Sequence, residues 1–271
     1  MRNSVFGHCF SWLWLVILMS FSATSAAVEL SVAAESLSVS YQEKNAAGRT
    51  LNRESGHIPG VSLGAQWEVL ARFPVALMFS HHRGDIAYTG ETQTGKPLST
   101  QTETRFSELG TWIEYPLYEA DVNVALRTEL RIRQWNRDIE ATASTVSLET
   151  LYRWWMPGVT LRADYQLTNG QRLSATAGIF SSRNIRARVN LDAIGLGRTT
   201  LEPESDSGQR YSLSWFVPFG QGQELFLSLS FEKLAFQASE PIRLQNATTL
   251  FSVSEPASTS WRRGISLGFR F

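Results

Sequence analysis

From Ile265 to Phe271 the chain alternates between large apolar side chains and polar or small ones. The apolar positions are Ile265, Leu267, Phe269 and Phe271, with serine, glycine and arginine between them. Successive side chains of a β-strand point to opposite faces, so a period of two predicts a strand with one apolar and one polar face. Segments with the same period recur along the chain, and no amphipathic pattern with helical spacing extends over a useful length. The chain is therefore expected to fold as an all-β protein.

The terminal strand ends on an aromatic residue, a combination that is unusual in a soluble protein. In this respect the segment resembles the closing strand of Gram-negative outer-membrane β-barrels. The resemblance implies that Phe269 and Phe271 form the signal read by the barrel-assembly machinery, which would then be a partner of this chain. The alternative interpretation is an ordinary half-buried strand at the end of a soluble β-protein.

The N-terminal segment has the three parts of a secretory signal peptide. Arg2 provides the positive charge, residues 10–21 form an apolar run, and small residues follow at 22–27. A transmembrane anchor is the alternative, but a spanning helix needs about 20 apolar residues and this run is shorter. We therefore expect residues 1–26 to be removed during export and residues 27–271 to form a single barrel domain.

The composition of the chain argues against several classes of site. The only cysteine, Cys9, lies within the leader, so the exported chain is expected to contain neither a disulfide nor a cysteine metal site. The 25 basic and 25 acidic residues balance, which gives no indication of a nucleic-acid partner. The sequence has no phosphate-cradling glycine loop and no cluster of cysteine and histidine, so no cofactor is predicted.

Twelve segments of the exported chain carry the two-residue period and are separated by turn or loop signals. Their lengths suit tilted strands, which need about 9–11 residues to cross a bilayer. Ten strands are the next choice if two weak strands are merged, and eight is a third alternative. The predicted strands are 35–42, 60–70, 73–82, 104–115, 121–135, 145–155, 159–167, 172–180, 185–193, 209–217, 223–236 and 261–271.

The connections between these segments alternate in length, with one exception, between short turns and longer loops. Aromatic residues are concentrated beside the short turns, among them Phe73, Tyr115, Trp154, Trp215 and Phe219. Outer-membrane barrels combine short periplasmic turns with longer external loops, and aromatic rings favour the headgroup level. A soluble sandwich would explain the alternation but not these two features. We therefore predict a monomeric, antiparallel, up-and-down transmembrane β-barrel that is exported through the periplasm and contacts the lipids of the bacterial outer membrane.

The polar face of each predicted strand is assigned to the barrel interior, because the outer face of a membrane barrel must be apolar. Arginines are concentrated on five consecutive predicted strands, and carboxylates lie among them. The candidate lumen-lining residues are Arg127, Glu129, Arg131, Arg133, Arg153, Arg162, Asp164, Arg172, Arg186 and Arg188.

These interior charges have two interpretations. Rings of arginine or lysine attract anions in anion pores, and the pattern is similar in type to the narrow twelve-stranded porins for acidic oligosaccharides, which use arginine tracks. The acidic residues among the arginines depart from that family, and no local motif of it is present. In the second interpretation, arginine and glutamate pair across strands and fill a lumen whose width lies between the filled and the open barrels.

Three hypotheses for the function follow. The first is a narrow channel for small anionic solutes, and the second is a non-conducting barrel with a structural, surface-interaction or envelope-maintenance role. The third is a hydrolase at the external rim, because outer-membrane proteases and lipid hydrolases resemble this chain in architecture and place His, Asp and Ser there. His82, with Asp85 and Ser80 nearby, is the best candidate for such a site, but no accompanying motif supports it. No catalytic residue is therefore assigned, and the chain is not expected to be an enzyme.

Overall fold

A computed structural model describes most of the chain after the leader. Among the described residues, no helix has the length and the apolar character needed to cross a membrane. The predicted signal peptide, residues 1–26, lies outside the described part of the chain. The described ranges are 28–69, 73–91, 95–143, 145–246 and 249–271.

Antiparallel strands make up nearly all of the described chain, and ten of them close a barrel. The ring runs β1-β2-β3-β4-β5-β6-β7-β10-β11-β14, and β14 pairs with β1 to close it. The strands are β1 (Glu29–Lys44), β2 (Thr50–Val69), β3 (Phe73–Glu91), β4 (Pro97–Tyr118), β5 (Val122–Ile139), β6 (Leu148–Gln166), β7 (Arg172–Ser181), β8 (Arg183–Asn190), β9 (Arg198–Leu201), β10 (Ser207–Pro218), β11 (Glu224–Phe236), β12 (Ile242–Gln245), β13 (Leu250–Val253) and β14 (Ala257–Arg270).

The strand count of twelve was wrong, because two pairs of predicted strands each occupy a single place in the ring. Predicted strands 145–155 and 159–167 both belong to β6, and the expected turn at residues 156–158 is extended backbone. Pro157 pairs with Leu130 of β5, while on its other side the pairing passes from β7 to β8. A strand tolerates proline where no partner needs its missing N–H, so Pro157 does not end β6.

The second merged pair consists of predicted strands 172–180 and 185–193, which correspond to β7 and β8. Both lie along β6, β7 on its lower part and β8 on its upper part. Near its start, β8 has one residue more than the part of β6 that it faces. Trp155 pairs with Arg183, whereas Arg153, two residues away on β6, pairs with Arg186, three residues away on β8. Asn184 takes up this β-bulge with a φ of 52°.

The barrel has two halves that differ in which face of the strands is apolar. In the half nearer the short turns, large apolar side chains face outward and form a surface that we call the apolar belt. In the other half, the projecting half, polar side chains face outward and apolar ones are buried inside. On β2, for example, Val61 and Leu63 are more than half exposed in the belt, whereas Ile58 is fully buried inside the projecting half. The belt includes Val61, Leu63, Phe79, Leu109, Ile132, Trp155, Val159, Leu161, Ile179, Leu213, Leu229, Ile265 and Leu267.

An aromatic core fills the projecting half. Trp135 stacks between Phe106 and Tyr152, with ring centroids 5.0 and 5.1 Å away, and meets the edge of Tyr41 at 4.9 Å. Tyr41 lies on β1 and Trp135 on β5, so this contact crosses the barrel. Each such pair contributes about 0.5–1.5 kcal/mol beyond the area it buries. The projecting half is therefore a packed protein core surrounded by a sheet.

A segment that we call the strap, residues 237–246 and 249–256, closes over this core. It contains the β12–β13 hairpin, and Ile242 and Val253 of that hairpin pack against the buried apolar residues. The two ends of the strap are joined, because the Ser239 N–H donates to the Glu255 carbonyl at 2.9 Å. The hydroxyl of Tyr152 donates to the carboxyl group of Glu255, which holds the strap to the interior of β6.

Candidate functional site

The interior contains a network of seven charged side chains, which we call the central tier. It lies where the apolar belt gives way to the projecting half, beside the outward-facing Leu109 and Ile132. Glu108 accepts hydrogen bonds from Arg131 at 2.6 Å and from Arg133, and Arg131 also reaches Glu129 at 2.7 Å. The members of the tier are Arg131, Arg133, Arg210, Arg262, Glu108, Glu129 and Glu232.

The central tier spans the lumen from wall to wall. Arg133 of β5 donates to Glu232 of β11 at 2.7 Å, and these strands are four places apart in a ring of ten. Arg262 of β14 also binds Glu232, and its guanidinium lies 5.3 Å from the ring of Phe106 on β4. Arg210 of β10 reaches Glu129 of β5 at 3.8 Å. Side chains from opposite walls are therefore in contact at this level.

Small residues on the opposite wall make room for these arginines. The inward positions of β10, β11 and β14 next below Arg210, Glu232 and Arg262 are serine and glycine. Ser214 and Ser228 form a hydrogen bond at 2.7 Å, and a Cβ on Gly264 would lie 2.5 Å from the hydroxyl of Ser230. Long side chains on one wall and short ones on the other fill the cross-section without a clash.

The burial of the tier determines what its ion pairs contribute. Arg133 is 2% exposed, Glu232 5% and Glu108 8%. Two charges removed from water lose hydration that their attraction only partly restores, so the net gain of the whole network is modest. Removing one member is costly, because it leaves an uncompensated buried charge. Buried in this way, the tier is a structural core whose members depend on one another.

A cavity of about 530 Å³, which we call the vestibule, opens below the tier at the short-turn end. Arg162 reaches Asp164 at 2.8 Å, and Arg172 reaches Glu224 at 2.9 Å. The guanidinium of Arg172 also lies 3.8 Å from the centre of the Phe216 ring. The arginines of the vestibule wall are thus paired with carboxylates, so this end of the barrel does not present a purely cationic surface.

A second buried charge cluster lies above the tier, inside the aromatic core. Arg137 binds Glu54 and Glu43, the latter at 3.2 Å, and its guanidinium lies 4.6 Å from the Tyr41 ring. Burial raises the pKa of Glu255 to about 8, and the nearby Glu43 carboxylate adds to this effect. The strap is therefore held by a carboxyl group that is mostly protonated at neutral pH.

His82 and Glu35 form a third interior contact. The His82 Nε2 atom lies 2.8 Å from the Glu35 carboxylate, and a Cβ on the intervening Gly60 would come within 2.2 Å of the imidazole. Glycine at position 60 is therefore what allows the imidazole to cross from β3 to β1. Asp85, the expected neighbour of His82, lies on the outer face of β3 and is exposed. The structure thus separates two of the residues on which the hydrolase hypothesis was based.

The structure brings seven of the ten candidate lumen residues together inside the barrel. Arg153, Arg186 and Arg188 instead lie on the outer surface, on the face opposite to the one we expected. The reason is the reversal of the alternation, since at this height Tyr152 and Trp154 occupy the interior. The seven interior residues are Arg127, Glu129, Arg131, Arg133, Arg162, Asp164 and Arg172.

Several members of the network were not recognised in the sequence. In predicted strand 209–217, Tyr211 and Leu213 lie on the apolar face and Arg210 on the opposite one. The period of two could therefore have identified Arg210 as an inward residue. Arg137 and Glu54 of the upper charge cluster fall outside the predicted strands 121–135 and 60–70, so neither was assigned to a strand face. Among the described residues, no group of three or more His, Cys, Asp or Glu side chains is arranged to hold a metal ion.

Comparisons with known proteins bear on the fold. No family model and no curated protein sequence matches the chain. The outer membrane protease OmpT from Escherichia coli is similar in structure, with a TM-score of 0.60 and 10% identity over 92% of this chain and 99% of that one. The translocator domain of the autotransporter NalP from Neisseria meningitidis has a TM-score of 0.42 and 11% identity, covering 98% and 95%. OprG from Pseudomonas aeruginosa has a TM-score of 0.42 and 9% identity, covering 91% and 97%. The chain has the closed antiparallel fold of Gram-negative outer-membrane β-barrels.

Proposed function

We propose that this protein is a non-conducting outer-membrane barrel whose projecting half is a rigid module at the cell surface. The observation that carries the proposal is the contact of Arg133 with Glu232 across the lumen, at a level where both are almost completely buried. Above it, the aromatic core and the strap fill the rest of the interior. A solute would have to displace several buried ion pairs and then a packed core to pass.

The proposed placement follows from the two halves of the barrel. The apolar belt spans the outer membrane, the short turns face the periplasm, and the projecting half extends into the medium. Phe269 and Phe271 form the proposed assembly signal, and both are about half exposed at the belt's lower edge. The protein is proposed to be a monomer, because a closed ring leaves no free strand edge in the belt for a second copy to extend.

Planar-bilayer recording tests the closed lumen. Wild type is expected to give no conductance steps above background at moderate voltage. The double variant R133A/E232A removes the contact that crosses the lumen but leaves the aromatic core packed above it. It and the control S214A/S228A, four residues along the same wall, should therefore also give no steps. Steps from wild type would overturn the proposal, and anion selectivity in such steps would favour the narrow channel instead.

The hydrolase hypothesis stays a prediction with its own test. His82 is 6% exposed and bound to Glu35, and neither group lies at the rim of the projecting half. Purified wild type and H82A should both lack activity on phospholipid and peptide substrates if the protein acts only as a surface module. Hydrolysis that depends on His82 would contradict the proposed function.

A further inference from the structure

Two arginines face each other on the outer surface immediately above the apolar belt. Arg153 of β6 and Arg186 of β8 are directly opposed in the strand register, and both are exposed. Side chains in such a position have Cβ atoms about 5 Å apart, and like charges there are destabilising. A pair of this kind is expected to have a compensating anion.

The protein supplies little compensation for this pair. Arg186 has a carboxylate, that of Glu202, at 3.8 Å, but the two side chains are 52% and 72% exposed. Arg153 donates from Nε to the neutral amide oxygen of Gln134 at 3.0 Å. Exposed pairs of this geometry contribute little to stability and are screened by salt. The space between the two guanidiniums is therefore attractive to an anion from outside the chain.

On the same surface, a second pair of opposed arginines has its positive charge neutralised by a carboxylate of the chain. Arg83 of β3 pairs in register with Arg105 of β4, at a similar height above the belt. Glu103 lies between them and binds both, at 2.7 and 2.8 Å. This pair carries its own carboxylate and has no need of an external anion.

The height of the uncompensated pair identifies the surroundings in which it lies. Trp155, the next outward residue of β6, is 42% exposed and belongs to the belt. Aromatic residues mark the interface between the hydrocarbon and the headgroups. Arg153, two residues or about 7 Å further along the strand, therefore lies at the level of lipid headgroups.

An outward-facing groove of about 920 Å³ lies beside the pair, on the belt side. One side of the groove consists of Pro157 and Val159 of β6 and Ile179 of β7, next to the bulge where β7 gives way to β8. The other side carries Asp206 and Lys233. Arg153 is four residues from Pro157, which is about 13 Å along the strand. The apolar side of this groove, formed by Pro157, Val159 and Ile179, lies below the two arginines, an arrangement that fits a lipid with its charged headgroup above and an acyl chain below.

We propose that Arg153, Arg186 and the adjacent groove bind a phosphate-bearing lipid of the leaflet on the projecting side, with the phosphate between the guanidiniums and an acyl chain along Pro157, Val159 and Ile179. The inference rests on the proposed membrane placement of the belt. Arginine suits this role because its planar fork forms two parallel hydrogen bonds to a phosphate. An outward carboxylate row above the pair, which includes Asp138 and Glu149, repels the phosphate and limits it to this height.

Native mass spectrometry of the detergent-solubilised full barrel measures the binding of defined lipids. The probes are dioleoyl phosphatidic acid, dioleoyl phosphatidylcholine and inorganic phosphate. Wild type should bind phosphatidic acid about tenfold more tightly than phosphatidylcholine, because the monoester phosphate carries more charge. R153Q/R186Q should lose this preference, and R83Q/R105Q, which also removes two arginines in register, should keep it.

Each outcome separates the lipid site from simpler explanations. Equal loss in R153Q/R186Q and R83Q/R105Q would mean general charge attraction and would overturn the proposal. Full displacement of phosphatidic acid by millimolar inorganic phosphate would identify an anion site that does not use the groove, which also overturns it. I179W, which fills the groove and leaves both arginines in place, should weaken phosphatidic acid binding. A wild-type protein that does not insert into bilayers would instead contradict the proposed membrane placement, which insertion assays detect independently of lipid preference.

Discussion

Replacing Glu232 by glutamine tests whether the central tier holds the barrel together. Arg133, Arg210 and Arg262 all bind the Glu232 carboxylate, which is 5% exposed, so one substitution removes a shared partner from three buried cations. The tier changes from four arginines and three glutamates to four and two. Breaking a buried pair by removing one partner costs about 3–5 kcal/mol, and we expect E232Q to lie in that range.

The matched control is the same substitution at the rim of the vestibule. Glu224 binds Arg172 at 2.9 Å and Arg270 at 3.5 Å, but its side chain is 26% exposed and in contact with water. E224Q should therefore cost about 1 kcal/mol or less. Urea unfolding of the barrel in lipid vesicles, followed by tryptophan fluorescence and by the shift between folded and unfolded bands on gels, measures both variants.

A double-mutant cycle provides the refuting result. In R133Q/E232Q the tier has three arginines and two glutamates, so part of the charge imbalance created by E232Q is removed. We expect the double variant to be less destabilised than the sum of the two single variants, with a coupling of about 1–3 kcal/mol. Equal losses for E232Q and E224Q, or additivity within 0.5 kcal/mol, would mean that the tier does not act as a unit.

Three further outcomes are expected. Glu255 has a raised pKa of about 8, against an ordinary value of 4.5, so the folded protein binds more protons than the unfolded chain between these pH values. The free energy of unfolding should therefore decrease as the pH rises from 4.5 to 8. E255Q should flatten this pH dependence in urea titrations. W135A removes a ring that is 1% exposed and should cost about 3–5 kcal/mol by the same unfolding assay. N184G relieves the positive φ of 52° and should stabilise the bulge slightly, whereas N184V should destabilise it, as measured by the temperature at which the folded gel band disappears.

The alternation in the sequence identified the strands but not their faces. It predicts that one face of each strand is apolar, and it does not say whether that face meets lipid or the interior. In the belt the apolar face is outward, as it is for Val159 and Leu161. In the projecting half water is outside, and the same alternation places Tyr152 and Trp154 inward. β6 contains both situations, so one rule for the whole strand could not place Arg153 correctly.

The strand count was wrong where the local sequence indicates a turn but the pairing with neighbouring strands keeps the backbone extended. Proline and glycine at residues 157 and 158 are strong turn signals, yet both are extended in β6. The gap between β7 and β8 falls opposite them, so no neighbouring strand needs the missing N–H. Such a gap depends on the pairing of distant segments, and a single strand's sequence cannot reveal it. By contrast, the last strand closes the ring by pairing with β1, as its resemblance to the closing strands of outer-membrane barrels implied.

The choice of arginine over lysine in the interior supports the structural role of the tier. The whole chain contains only three lysines, Lys44, Lys96 and Lys233, and all three are exposed. Arg133 uses Nε and both terminal nitrogens to join Glu108 on one wall to Glu232 on the other. A lysine ammonium is a point charge without this planar fork and could not hold two carboxylates in fixed positions. An anion track needs cations whose donors are available to the solute, whereas the donors of Arg133 are bound to carboxylates of the chain. The interior arginines therefore act as cross-links of the barrel, and the arginines that remain available to an outside anion are those on its outer surface.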